Sequence, residues 1–282
     1  MRDFSKSTLI LLGHGSTQNV QSSVPVRAHA TELWRRGIFG EVGVGFLKES
    51  PTVAEALVRA TCPDVFLVPV FISEGYFSES VIPQQLGLCG LEGGTYSRRQ
   101  RLAGRDVRYC GVVGSHPSMT EVLRARAREV VADHPVPGGA RPGPREMTLF
   151  VAGHGTDRSV TSRGAVERQA ELLAARSEYA SVQAVFMEEA PEIARCAELS
   201  ATEFAVVVPF FISDGLHSQE DIPVLLGESP EAVQARLKAG QPTFPNPTRR
   251  NDRWLWYARA VGTEPLMAEV ILERVVEAAS WP

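Results

Sequence analysis

The feature that most limits what this chain can fold into is an internal repeat held at a fixed offset. Val65-Phe66-Leu67-Val68-Pro69-Val70-Phe71-Ile72-Ser73-Glu74-Gly75 returns 140 positions later as Ala205-Val206-Val207-Val208-Pro209-Phe210-Phe211-Ile212-Ser213-Asp214-Gly215. Leu11-Leu12-Gly13-His14-Gly15-Ser16 returns at the same offset as Val151-Ala152-Gly153-His154-Gly155-Thr156. Phe46, Pro51, Ser78, Ile82, Pro83, Leu86 and Gly87 match Phe186, Pro191, Ser218, Ile222, Pro223, Leu226 and Gly227 without a gap. Near the ends Gly114, Pro117 and Met119 match Gly262, Pro265 and Met267, with the offset grown to 148. Repeats this long are copies of one domain rather than turns of a solenoid. The 282 residues therefore read as two lobes of ordinary domain size, 1–138 and 147–282. The segment 134–146, with four prolines and three glycines, reads as the linker between them.

Within each repeat, strand-like and helix-like segments alternate. In the first half, strands are expected at 7–12, 42–47, 65–71 and 107–113. Helices are expected at 20–36 with Gly37 as the stop, at 51–60 with Pro51 in the first turn, at 83–86, and from a Ser115 cap to about residue 132. In the second half the strands fall at 148–152, 181–186, 205–210 and 254–261. Alternating strands and helices predict βαβ units. The fold class is thus α/β, two tandem flavodoxin-like lobes, each a parallel sheet flanked by helices, related by a pseudo-two-fold. The stretches 88–105 and 241–253, rich in arginine with glycine or proline, read as excursions before the last strand of each half.

Composition narrows the function classes. The net charge of -4 gives no overall field toward nucleic acid or a membrane surface. The apolar run 9–12, behind Arg2 and Lys6, is too short for a signal segment, and no run reaches membrane-spanning length. Four cysteines, Cys62, Cys89, Cys110 and Cys196, form no CxxC pair, which fits a cytoplasmic protein with reduced thiols. Cys62 and Cys196 fall in expected helices as fillers. His29 and His134 are expected at the surface, in a helix and in the linker, and His116 at a helix start.

In an open parallel sheet, ligands bind outside the carboxyl ends of the strands. His154 follows the first strand of the second half. Glu188, with Glu189 beside it, follows the second, and His217 lies in the loop after the third. Two imidazoles and a carboxylate at adjacent strand ends suit a borderline divalent metal. Other readings of the Gly-His-Gly turns fail on residue type. A nicotinamide site lacks its third glycine, since Gln18 and Arg158 stand there. A histidine phosphatase lacks the arginine before its histidine, since Gly13 and Gly153 stand there.

Gly-His-Gly-Ser/Thr after the first strand, Phe-Met-Glu-x-x-Pro after the second and Gly-x-His-x-x-x-Asp-Ile-Pro after the third together resemble the class II chelatases. These are the sirohydrochlorin cobaltochelatases and ferrochelatases of cobalamin and sirohaem synthesis. The resemblance spans both halves. It implies two flavodoxin-like lobes facing a tetrapyrrole cleft, a lyase activity, and His154, His217 and Glu188 as the metal-binding and catalytic set. Co²⁺ or Fe²⁺ enters as substrate, no organic cofactor is expected, and the partner is a small-molecule tetrapyrrole rather than nucleic acid or membrane. The alternative is a non-catalytic tetrapyrrole- or metal-binding protein of the same fold.

The first half departs from that pattern. Lys48 stands where Glu188 does, Phe77 where His217 does and Val81 where Asp221 does, so chemistry is expected in the second half only. Metal insertion exchanges pyrrole protons for a dication, which calls for loosely held metal and proton acceptors. A polycarboxylate macrocycle calls for cations at the rim. Arg249, Arg250 and Arg253 are the candidates in the second half, with Arg98, Arg99, Arg101 and Arg105 in the first.

Overall fold

The computed structural model describes residues 3–88, 96–155 and 160–282. Arg2, Cys89, Thr156 and Arg158 lie outside the described residues. The chain divides into two compact units, Met1–His116 with Pro265–Pro282, and Pro117–Glu264.

The first unit runs β1 (Phe4–Gly13), α1 (Val24–Arg35), β2 (Phe39–Phe46), α2 (Val53–Arg59), β3 (Asp64–Pro69), α3 (Ile82–Gln85), β4 (Arg99–Leu102) and β5 (Arg105–Tyr109). Helix α4 (Met119–Asp133) opens the second unit. There follow β6 (Met147–Gly153), α5 (Val160–Ala174), β7 (Ser181–Phe186), α6 (Cys196–Leu199), β8 (Phe204–Pro209), α7 (Ile222–Leu225), α8 (Pro230–Lys238), β9 (Thr248–Arg250) and β10 (Arg253–Tyr257). Helix α9 (Met267–Ala279) returns to the first unit.

The described strands form one sheet in each unit, ordered β2-β1-β3-β5-β4 and β7-β6-β8-β10-β9. Four strands of each sheet are parallel, and the edge strands β4 and β9 pair antiparallel. Leu9–Leu12 and Leu149–Ala152 are at most 1% exposed, as central strands of sheets covered on both faces must be. Both sheets reverse strand order beside this strand, which is the switch point where such folds open a crevice.

Several local expectations are corrected. Helix α2 is capped by Thr52, whose side chain and that of Glu55 satisfy each other's backbone N–H groups; this places Pro51 ahead of the helix rather than in its first turn. Ser115 does not cap α4, because its hydroxyl donates to Glu74 Oε1 at 2.6 Å, and the helix begins after Ser118. His29 is buried on the inward face of α1 beside Val26, Ala30 and Leu33. Cys62 lies beyond the end of α2, partly exposed. The arginine-rich stretches are not simple excursions, since they contain β4 and β9. Each hairpin turns on two residues of positive φ, Ala103-Gly104 and Asn251-Asp252, the conformation that matches the twist of paired strands.

The sequence repeats and the compact units differ by one helix each. Helix α4 belongs to the first repeat, yet it packs on β8, β10 and α5. Its inward face carries Met119, Val122, Leu123, Ala127, Val130 and Val131. Helix α9, from the second repeat, packs on α1, β3 and β5. A chain cleaved within the linker at about Gly139 should therefore give two fragments that copurify, each holding a helix that the other's sheet needs. Separation of two independently stable fragments on size-exclusion chromatography would contradict the exchange. At Gly262, a Cβ would lie 1.9 Å from the Ile212 carbonyl oxygen. Gly262→Ala should destabilise the protein by about 1–3 kcal/mol or more in denaturant unfolding, since backbone cannot yield as a side chain does.

Candidate functional site

The register of the second sheet brings the predicted residues to one end. Gly153 pairs with Phe186 and Ala152 with Pro209, so β6, β7 and β8 stop nearly level. His154, Met187-Glu188 and the segment leading to His217 leave from these three carboxyl ends. The first two are tied directly, since the Met187 and Glu188 amides donate to the His154 carbonyl oxygen at 3.0 and 3.3 Å. Gly155 permits this approach: it has φ +64°, and a Cβ there would meet Phe186 Cβ at 2.7 Å and Glu189 Cγ at 2.8 Å.

The two acids after β7 have different work. Glu189 is tied down by Arg163 at 2.8 Å, and Arg163 also lies over the Phe186 ring. Glu188 is 57% exposed on its side chain, and its Oε1 lies 3.8 Å from His154 Nε2. The pair Arg27–Glu49 repeats the structural arrangement in the first unit. There burial opposes the charge on Glu49, but hydrogen bonds from Arg27, Ser23 and the Ser16 amide outweigh it and hold the carboxyl below its ordinary range.

His217 opens a five-residue π-helical turn, His217–Asp221. Ser218 fixes the turn from beneath. It is buried, its hydroxyl lies 3.2 Å from the Gly215 carbonyl oxygen, and its own carbonyl accepts from Tyr257 Oη at 2.7 Å. Burial drives the Tyr257 phenol well above its usual range, so it remains a donor. The His217 ring meets the His154 ring edge-on, with centroids 4.8 Å apart at 89°.

Both imidazoles are oriented through Nδ1. His154 Nδ1–H donates to the Gly155 carbonyl oxygen at 3.1 Å, an acceptor that fixes the tautomer. His217 Nδ1–H donates to Asp221 Oδ2 at 2.7 Å. Each ring thus keeps its Nε2 lone pair for a metal or a proton. Two donors on one ion, each about 2.1 Å from it, lie at most about 4.2 Å apart; the 3.8 Å between His154 Nε2 and Glu188 Oε1 is within that span. Among the described residues no three His, Cys, Asp or Glu side chains already stand as a metal cage. The arrangement is open. A recess of about 450 Å³ adjoins it, bordered by Glu188 and Asp221 and floored by Met187, Val224 and Val233.

The first unit keeps the scaffold and one imidazole, with Lys48 and Phe77 at the positions of Glu188 and His217. His14 Nδ1–H donates to the Gly15 carbonyl oxygen at 2.9 Å. Its ring meets Phe77 edge-on at 5.0 Å and 83°, the geometry that His154 has with His217. Lys48 is exposed at the position of Glu188.

The expected arginine rim is not placed with the histidines. Arg250 pairs with Arg253 at the amino end of β10, and Trp254 with Arg249, while β10 runs parallel to β8. These arginines therefore lie at the opposite end of the sheet from His154 and His217. Arg250 is also neutralised by buried Glu228 at 2.5 Å, and Arg249 lies over Trp254. The stretch 241–253 is not a loop free to reach the site, because antiparallel pairing of its last residues with β10 turns it away. Arg259, two residues past β10 and 66% exposed on its side chain, pairs with Asp214 Oδ2 at 3.5 Å and is an arginine at the site's end of the sheet. The other contributor not singled out from the sequence is Asp221 as a partner for His217; its spacing of four residues on a helical turn is the available signal.

The family model described as CbiX matches this chain twice, over residues 8–130 and 148–278. A protein of Halobacterium salinarum called "Probable sirohydrochlorin cobaltochelatase" is 38% identical over 282 residues, covering 96% of this chain and 91% of its own. A Methanopyrus kandleri protein called "Sirohydrochlorin cobaltochelatase" is 30% identical over 139 residues, 47% of this chain and 96% of its own. Among solved structures, a multi-domain Deinococcus radiodurans protein described as structurally similar to chelatases superposes with TM-score 0.77 at 28% identity. The match covers 97% of this chain and 55% of that protein, so this chain spans about half its length. SirB from Bacillus subtilis, solved with Fe³⁺, shares the fold at TM-score 0.65 and 16% identity.

Asp221 is half exposed on its side chain, so Asp221→Ala should leave the fold intact. By freeing the His217 ring it should weaken binding of a divalent metal about 10- to 100-fold. Calorimetry of Co²⁺ binding to the variant measures this directly.

Proposed function

The chain belongs to the CbiX family, and on that footing we propose that it inserts a divalent metal, cobalt or iron, into sirohydrochlorin or a closely related tetrapyrrole, for cobalamin or sirohaem biosynthesis. The observation that carries the reading is the convergence of His154, His217 and Glu188 at three strand ends, with both imidazoles pinned through Nδ1. The names of the two curated relatives support the substrate class.

The reaction moves one dication into the macrocycle and two protons out, with no change of oxidation state. His154 and His217 present Nε2 lone pairs, and Glu188 lends negative charge that favours the dication. An open set of donors lets the metal go, which a closed structural cage does not. As the metal passes to the pyrrole nitrogens, the same lone pairs fall vacant and accept the released protons. The imidazoles thus serve first as ligands and then as bases. Arg259 is our candidate for a substrate carboxylate at this end of the sheet. Arg249, Arg250 and Arg253 are set aside on position.

A spectrophotometric assay with sirohydrochlorin and Co²⁺, Fe²⁺ or Ni²⁺ tests the activity and ranks the metals. Binding of both substrates without turnover would favour the non-catalytic alternative. His154→Ala should lower insertion about 100-fold or more. His14→Ala should leave most of it, because Phe77 offers neither lone pair nor proton acceptor and the Lys48 ammonium repels a dication. Equal losses in the two variants would show that both repeats build one composite site. In calorimetry, Co²⁺ binding should vanish in the double variant of His154→Ala and His217→Ala, and should weaken on acidification, since proton and metal compete for Nε2.

A further inference from the structure

The segment carrying His217 is held at two points, both against β10 and the turn that follows it. Ser218, just after the histidine, is buried under Tyr257. Asp214, three residues before it, spends both carboxylate oxygens on the turn that follows β10. Oδ1 accepts from the Ala260 amide at 2.8 Å, and Oδ2 lies 3.3 Å from Thr263 Oγ1 and 3.5 Å from Arg259 Nε. The Gly262 amide donates to the Phe211 carbonyl at 3.0 Å, closing the same seam.

The turn after β10 is in turn clasped by a buried cation. Arg126 of α4 has its side chain 2% exposed. Its Nε donates to the Ala260 carbonyl at 3.2 Å and its Nη2 to Thr263 Oγ1 at 2.7 Å. Glu129 and Glu264 balance the charge, at 2.5 and 3.2 Å. Thr263 is the relay. Its hydroxyl accepts from Arg126 and offers its one proton toward Asp214 Oδ2 or the Ala260 carbonyl. A buried guanidinium bound to backbone and hydroxyl acceptors allows few alternative arrangements.

We infer that Arg126, acting through Thr263 and Asp214, is a positioning residue for His217. It comes from the first repeat in sequence, yet it sets the loop that bears a donor of the second unit's site. The inference rests on the proposed metal role of His217. The first unit contains the matching relay, in which Arg274 Nη2 donates to Ser115 Oγ at 2.8 Å and Ser115 Oγ to Glu74 Oε1 at 2.6 Å. The loop it steadies ends in Phe77 rather than histidine. Nature thus supplies a control that shares the packing and lacks the chemistry.

The test uses full-length Thr263→Val, Thr263→Ser and Ser115→Ala, which spare the buried arginine. Two readouts are taken, the His217 ring-proton NMR resonances in metal-free protein, and Co²⁺ affinity with the visible absorption bands of the Co²⁺ complex. Thr263→Val should displace the His217 resonances, shift the Co²⁺ bands and weaken binding about tenfold. Thr263→Ser should restore all three, and Ser115→Ala should leave them at wild-type values while lowering the melting temperature. Unchanged His217 resonances in Thr263→Val, or equal displacement in Ser115→Ala, would overturn the inference. A wild-type protein that takes up no Co²⁺, with His217 still displaced in Thr263→Val, would retain the positioning role and defeat the metal reading instead.

Discussion

Parallel pairing of β6 with both β7 and β8 is the constraint on which the site depends. With Gly153 opposite Phe186 and Ala152 opposite Pro209, three chain segments must leave the sheet at one level and turn away within a few residues. Loops leaving at one level can place long side chains over a common point with no further contrivance. The backbone bonds from the Met187 and Glu188 amides to the His154 carbonyl then fix two of the three segments against each other before any side chain contributes. What remains for the side chains is orientation, and the Nδ1 bonds to Gly155 and Asp221 provide it.

The two units separate scaffold from chemistry. His14 keeps its bond to the Gly15 carbonyl and its edge-on aromatic neighbour, and Tyr109 donates to the Ser78 carbonyl as Tyr257 does to that of Ser218. Both turns after the third strand are π-helical. At this corner of each sheet the side chains differ, with Lys48, Phe77 and Val81 in the first unit standing where Glu188, His217 and Asp221 stand in the second. Phe77 fills the volume of an imidazole and preserves the ring contact, and with no Nδ1 to orient, Val81 in place of Asp221 leaves nothing unsatisfied. The π turn is therefore a property of the fold, since it persists where no metal ligand uses it.

Much of this was legible in the sequence, and the limits have physical causes. Apolar strands ending in Gly-His-Gly announced the strand ends, because a buried parallel strand and a sharp turn both leave a local signature. The trio His154, Glu188 and His217 followed from strand order alone. Three things escaped. The β9 hairpin was hidden because pairing depends on the Asn251-Asp252 turn rather than on apolar alternation, and with it went the position of Arg249, Arg250 and Arg253. The burial of His29 and the use of Ser115 by Glu74 depend on neighbours remote in sequence. The exchange of α4 and α9 leaves no local trace, since an amphipathic helix does not encode which sheet its face will cover.

That exchange also bears on why the repeat with Lys48 and Phe77 is physically tied to the repeat with Glu188 and His217. Arg126 and Arg274 occupy equivalent positions, each on the helix that closes one repeat, and each clasps the turn after the last strand of a unit otherwise built from the other repeat. Removing the first repeat would take away not only a lobe but also the buried cation and apolar face that complete the second unit. The Glu264 carboxylate and the Ala260 carbonyl gathered around Arg126 would then lose their counter-charge and donor inside the protein, a cost well above that of an exposed ion pair. The first repeat therefore carries Lys48 and Phe77 where the second carries Glu188 and His217, while its final helix completes the unit that holds those two residues.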